Sequence, residues 1–199
     1  MTKQHLIIFA HPNGTQSFNK ALLDKVLDAS RQAGVQTQVR DLYRLNFNPV
    51  LSLEEMQATY QGIVPAQIKQ EQQFIQQADF ITLIYPIWWM GFPAILKGYL
   101  DRVLSHGFAY KTENGISTGL LSDKKMQHFI TLGSDEESYQ EKGWDKALDV
   151  CLVNGLFNFC GITDIQHQLF GKLYAISHEQ RQAMLEEAAK KTFANLTAL

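Results

Sequence analysis

The sequence predicts an α/β protein built on one parallel sheet of five strands, with helices wound over both faces. Short β-branched or aromatic runs recur five times, and segments with apolar residues at helical spacing separate them. Strands that alternate with helices form βαβ units, whose right-handed crossovers cover both faces of a parallel sheet. Size agrees: 199 residues, 45% hydrophobic and 19% charged, can bury a substantial core within one domain spanning 1–199.

Leu6–Ala10 form the first run and Val35–Val39 the second. Between them Phe18, Leu22, Val26, Ala29 and Ala33 draw a single apolar stripe along a helix that ends at Gly34. Phe80–Tyr85 is the third run. Pro93 then suits a first helical turn, and Ile95, Leu96, Tyr99, Leu100, Val103 and Leu104 make the next stripe. Gln127–Leu132 and Asp164–Phe170 supply the last two strands. Ser177 and Gln180 form a capping box for a final helix striped by Met184, Leu185, Ala188, Ala189, Phe193 and Leu196. Two long segments, 43–66 and 105–125, interrupt the alternation and read as functional loops. The strand order expected of such a doubly wound sheet is the flavodoxin-like 2-1-3-4-5.

Charge and composition remove several classes of function. A net charge of -2 with no Lys/Arg block lacks the footprint of a nucleic-acid binder. The apolar run Leu6–Ala10 is too short for a signal-peptide core, and no run approaches the roughly 18 residues of a membrane span, so a cytoplasmic protein without membrane insertion is expected. Cys151 and Cys160 lie nine apart in an apolar, helical context and read as buried small hydrophobes. His5, His106, His128, His167 and His178 show no metal-ligand spacing, and no metal is expected. No G-x-S-x-G, G-x-G-x-x-G or Walker pattern occurs.

Ligands of open α/β sheets bind beyond the carboxyl ends of the strands, at the switch in strand order. The loops that matter are therefore AHPNGTQSFNK, YPIWWMGFP and TLGSDEESYQEKG. The first enters its helix at Ser17-Phe18-Asn19, where free N–H groups and the helix dipole favour a phosphate, with His11, Thr15, Ser17 and Asn19 as side-chain donors. An ordinary strand-to-helix turn capped by Ser17 fits the same composition. In the second loop Trp88, Trp89 and Met90 offer a flat apolar wall for a planar heterocycle, Pro86 and Ile87 shape the backbone, and Gly91 permits close approach. The Trp pair as core filling is the alternative; its place at a strand's carboxyl end favours the wall.

These loops, with PIWWMGFPAILKGYLDRV, HGFAYKTENG and LFNFCGI, resemble the flavodoxin-like NAD(P)H:quinone oxidoreductase family over nearly the whole chain. The most specific part is P-x-x-W-x-G-x-P-A-x-L-K-G at Pro86–Gly98. The resemblance implies a bound flavin and ping-pong hydride transfer from NAD(P)H to a quinone or similar small acceptor. It also implies a homodimer whose sites both subunits complete; Phe108, Tyr110 and the KTENG segment, too apolar and too long to stand free in solvent, are expected to border the partner's flavin. FMN is expected over FAD, because the adenosine-side segments of larger FAD-binding relatives are not evident. The family also includes regulatory subunits of membrane potassium-efflux systems, an alternative role with a membrane-protein partner. A flavodoxin-type electron carrier would share the fold, but its strongly acidic surface is absent.

Carried over by position, the flavin phosphate falls on His11, Ser17, Phe18 and Asn19, and the isoalloxazine on Pro86, Ile87, Trp88, Trp89 and Met90. Thr131, Gly133 and Ser134 follow the fourth strand. Backbone donors near Gly133 and the Tyr139 hydroxyl are the expected catalytic groups, stabilising charge that develops at flavin N1 and O2. Relatives place a histidine where this chain has Asp145, so the family's proton relay lacks its imidazole here.

Overall fold

The computed structural model describes residues 2–199. The chain runs β1 (Gln4–Phe9), α1 (Phe18–Gln32), β2 (Gln36–Asp41), α2 (Leu53–Tyr60), α3 (Ala66–Gln77), β3 (Phe80–Pro86) and α4 (Ala94–Val103). It continues through β4 (Tyr110–Glu113), β5 (Ile116–Gly119), β6 (Lys125–Thr131), α5 (Glu136–Glu141) and α6 (Trp144–Leu148). A π-helical turn (Asp149–Asn154), α7 (Gly155–Phe159), β7 (Asp164–Phe170) and α8 (His178–Thr197) complete it.

The five apolar runs pair as one parallel sheet in the order β2-β1-β3-β6-β7. This is the expected 2-1-3-4-5 pattern, because β4 and β5 stand apart as a hairpin. Every residue of β3 is buried, as a central strand covered on both faces requires. Alternation along β1 divides the core: Leu6 and Ile8 pack with Ile81, Leu83, Leu96 and Tyr99, while Ile7 and Phe9 pack with Leu22, Val26, Phe129 and Leu185. Helix ends follow the sequence signals. Ser17 accepts the Lys20 N–H at 3.1 Å, Pro93 stands immediately before α4, and the Ser177–Gln180 capping box is complete in both directions.

The two long segments hold more structure than their sequence announced. Segment 105–125 contains the β4–β5 hairpin, which turns at Asn114-Gly115 with φ of 53° and 78°, the Asn-Gly turn that suits strand twist. Its four-residue strands are mostly polar and show no buried alternation. Segment 43–66 contains α2, which buries none of its side chains. Arg102 holds it, with Nε and Nη2 gripping Glu55 at 2.8 and 2.7 Å and Nη1 donating to the Asn48 carbonyl at 2.6 Å. Pro49 lies so close over Gly98 that a Cβ there would meet the Pro49 oxygen at 2.1 Å.

Two residue assignments need correction. Phe193 is exposed on α8, and Thr192 takes the buried position, donating to the Ala188 carbonyl at 2.8 Å and accepting from Gln127 at 2.9 Å. Cys151 is exposed on the π-helical turn, whose buried residue is Val153; Cys160 is buried as expected. His5 and His128 are both buried. His5 bridges Ser30 and Thr82 at 2.7 Å each, and His128 sits 3.3 Å from the Tyr85 hydroxyl. Among the described residues no helix is long and apolar enough to cross a membrane.

Candidate active site

From β1 the chain crosses to β2 on one side, and from β3 to β6 on the other, so the switch in strand order falls between β1 and β3. Beyond their carboxyl ends opens a cleft of ≈ 910 Å³.

The loop from β1 to α1 forms one side. Asn13 Oδ1 accepts the N–H groups of Thr15 and Gln16 at 3.2 and 2.9 Å, and the Ser17 hydroxyl donates to the Asn13 carbonyl at 2.7 Å. These bonds occupy the side chains of Asn13 and Ser17 in shaping the loop. The N–H groups of the first helical turn, Phe18 and Asn19 among them, have no intrahelical acceptor and open at the cleft. Asn19 is 3% exposed; its Oδ1 accepts from the Thr131 hydroxyl at 2.9 Å, and its Nδ2 has no partner. A buried amide donor left unpaired is costly unless a ligand completes it. His11 lines the same wall. Burial holds its pKa below the usual value, against a smaller opposing effect from its hydrogen bond to the Asn13 backbone, so the ring is neutral at neutral pH.

The loop after β3 forms the second side. Trp88 and Gly91 exchange reciprocal hydrogen bonds of 3.1 and 3.0 Å, with Trp89 and Met90 at φ of 51° and 61° between them. This is a two-residue primed turn made without glycine at its centre, a conformation that costs L-residues roughly 1–2 kcal/mol each. It turns the aromatic surface outward: Trp89 is fully exposed, and Trp88 and Met90 are 42% and 44% exposed. The Trp pair is therefore not core filling. Trp88 lies 6.4 Å from the His11 ring, and Ile87 N–H donates to the Thr131 carbonyl at 2.8 Å, which joins this loop to the next.

Thr131 and Gly133 line the cleft from the loop after β6, and open space surrounds the Gly133 α-carbon. Four expected residues do not line it: Thr15, whose hydroxyl donates to Asn13 Oδ1 at 3.0 Å, Met90, Ser134 and Tyr139. The Ser134 carbonyl accepts the Lys172 N–H at 3.0 Å. Tyr139, on α5, is 8% exposed; its hydroxyl donates to Met90 Sδ at 3.6 Å and its ring packs edge-on against Trp144 at 5.4 Å. Burial raises its pKa above the ordinary phenol value. Asp145 occupies the first turn of α6 and lines a separate cleft of ≈ 450 Å³ with Gln168 and Glu187.

The sequence reading missed the far end of the main cleft, where Tyr174, His178, Arg181 and Gln182 contribute. Arg181 Nε is buried there without a partner. The capping box already placed the start of α8; His178 and Arg181, one turn apart at that start, were the available signal.

A parallel sheet with a switch-point cleft between a helix mouth and a flat aromatic wall is the layout of flavodoxin-like proteins. Residues 3–194 match the family model described as Flavodoxin-like fold, and the chain belongs to that family. Within it the similarity is to NAD(P)H oxidoreductases. The chain is 60% identical over 195 residues to an uncharacterized NAD(P)H oxidoreductase of Haemophilus influenzae, covering 98% of this chain and 96% of that one. An NAD(P)H:quinone oxidoreductase from Methanothermobacter marburgensis superposes with a TM-score of 0.86 at 27% identity, over 97% and 96% of the two chains. General stress protein 14 of Treponema denticola, solved in complex with FMN, gives 0.62 at 25% identity over 98% of each chain.

Proposed function

We propose that the protein is a flavin-dependent oxidoreductase that takes hydride from NAD(P)H and delivers it to a quinone or similar flat acceptor, using one cleft for both. The observation that carries this reading is the unpaired, buried Asn19 amide at a helix mouth, facing the same cleft as an outward-turned tryptophan wall. Phosphate would be held by the Asn19 amide and the first N–H groups of α1, and the ring by Ile87, Trp89 and the open backbone at Gly133. A bound flavin would supply the hydride-transfer chemistry between the two substrates. The backbone at Gly133 would supply a donor for negative charge on the ring, and Tyr139, which stands behind Met90 outside the cleft lining, would add its hydroxyl once Met90 gives it up. Relatives named for NAD(P)H, quinone and FMN support the same reading. The whole chain, 1–199, acts in this reading as one flavin-binding domain in the cytoplasm.

FMN is the flavin proposed. The cleft, however, runs on past the phosphate mouth to Arg181, whose unpaired Nε favours FAD as a second reading, its further phosphate reaching α8. Titrating apoprotein with FMN and with FAD while following flavin fluorescence decides both questions. Quenching at micromolar flavin is expected, and no quenching by either would refute the flavin reading. If FAD is the ligand, Arg181→Ala weakens FAD by roughly tenfold, as loss of one charge-assisted bond does, and leaves FMN unchanged.

We further propose a homodimer with shared sites. Rings run in contact from Tyr60 through His106 and Tyr110 to Phe159, with Tyr60 and Phe159 exposed, and the exposed Leu53 and Met56 share α2 with Tyr60. Such apolar surface suits a subunit contact, and Phe108, Tyr110 and the hairpin tip are proposed to border the partner's cleft. Sedimentation of flavin-loaded protein should give a dimer; an active, flavin-loaded monomer would contradict it.

A further inference from the structure

We propose that Met90 is an oxidation site through which peroxide turns down the flavin cleft, by tightening the hold of a sulfur-bound oxygen on the Tyr139 hydroxyl. The proposal rests on the reading of Tyr139 as the donor for the ring.

Three observations meet at this contact. Tyr139 donates to Met90 Sδ at 3.6 Å. A thioether is a weak acceptor, so the hydroxyl proton is held only weakly and can turn to a stronger acceptor brought beside it. Met90 is 44% exposed, and its backbone is fixed at φ 61° by the reciprocal Trp88–Gly91 bonds, so the side chain cannot escape reagent by a shift of the turn. Tyr139, by contrast, is 8% exposed and braced by Trp144, so the ring stays beside whatever group position 90 presents.

The oxidant is hydrogen peroxide. The Met90 sulfur lone pair attacks one peroxide oxygen, the O–O bond breaks, and the other oxygen leaves as water after taking up a proton. Sulfur is oxidised by two electrons as peroxide is reduced by two, and the product is the sulfoxide, which methionine sulfoxide reductases reverse. The sulfoxide oxygen is a much stronger acceptor than the thioether sulfur, and rotation about the side-chain torsions of residue 90 brings it within hydrogen-bond reach of the phenol beside it. It competes for the Tyr139 proton where the thioether did not.

Met56 supplies an internal control, because it is 43% exposed on α2 while the hydrogen bond of the Tyr139 hydroxyl goes to Met90. Flavin-free protein carrying a ring-fluorinated tyrosine at position 139 is treated with peroxide, and fluorine NMR is recorded beside peptide mass mapping. One oxygen is expected on Met90, together with a shift of the position-139 signal. That shift is absent in Met90→Leu, retained in Met56→Leu, and reversed by the reductases. Flavin-loaded protein then loses roughly fivefold or more in its rate of reduction by NAD(P)H, with flavin still bound, whereas peroxide leaves Met90→Leu at that variant's own untreated rate. Met90 left unmodified while Met56 is oxidised, or an oxidised Met90 with an unmoved fluorine signal, overturns the proposal. Failure of the protein to bind flavin at all removes the functional reading and is seen separately, in the titration.

Discussion

Tyr139→Phe is expected to slow flavin reduction by NAD(P)H by roughly tenfold or more, whereas Asp145→Asn leaves it nearly unchanged. A flavin bound in the cleft would need a donor for the negative charge it gains on reduction, and loss of one charge-stabilising donor costs over about 1.4 kcal/mol of barrier. Tyr139 stands against the wall loop through Met90. Asp145, at the position where the resembled family has histidine, lines another cleft beside Gln168 and Glu187, and an anion could not stabilise an anion in any case. Stopped-flow reduction with flavin fully bound measures both variants. A larger loss in Asp145→Asn than in Tyr139→Phe would mean that the roles are reversed.

The second large effect concerns acid. His5 and His128 are buried, and desolvation lowers each pKa from 6.5 to about 3, with His167 adding a smaller push on His128. In the unfolded chain both bind protons near pH 6.5, so the unfolded state gains protons first as pH falls. Stability is therefore whole above pH 6.5 and drains away between 6.5 and about 3, by roughly 1.4 kcal/mol per pH unit for each ring. At pH 5 the two together remove about 4 kcal/mol, a large part of a typical domain's 5–15 kcal/mol. Urea unfolding at pH 7 and pH 5 reads this directly, and His128→Phe should show about half the difference. Equal or greater stability at pH 5 would contradict the assignment.

The parallel sheet was legible because its strands are short apolar runs and its helices carry stripes at the right spacing. The same logic concealed what is held by polar contacts. α2 attaches through Arg102 and Glu55, residues some 47 apart in sequence, and no local pattern announces such a pair. The β4–β5 strands bury too little to alternate. At the site, the first-turn residues of α1 and the Trp wall were legible as local motifs with a physical task. The start of α8 was legible from its capping box, but its place at the cleft was not, because only the packing of α8 beside α1 brings Arg181 and, in the turn before it, Tyr174 to that end. Phe193 misled through spacing alone: a buried Thr can displace a Phe from a helix's inner face when its hydroxyl has partners waiting on the sheet.

The turn at Trp88–Gly91 also bears on the life of the chain before any cofactor reaches it. Exposed indoles in water ordinarily fold onto whatever apolar surface is near, and a slot lined by them closes. Here two reciprocal backbone bonds hold the indoles apart from the core, so the slot stays open and the cofactor meets a finished surface, with little ordering left to oppose its capture. The corresponding exposure falls on the empty protein. Until the slot is filled, a fully exposed Trp89 sits in solvent as an adhesive point for other chains. Solubility and cofactor supply are thereby joined: filling the slot would cover apolar surface that the empty chain leaves in water.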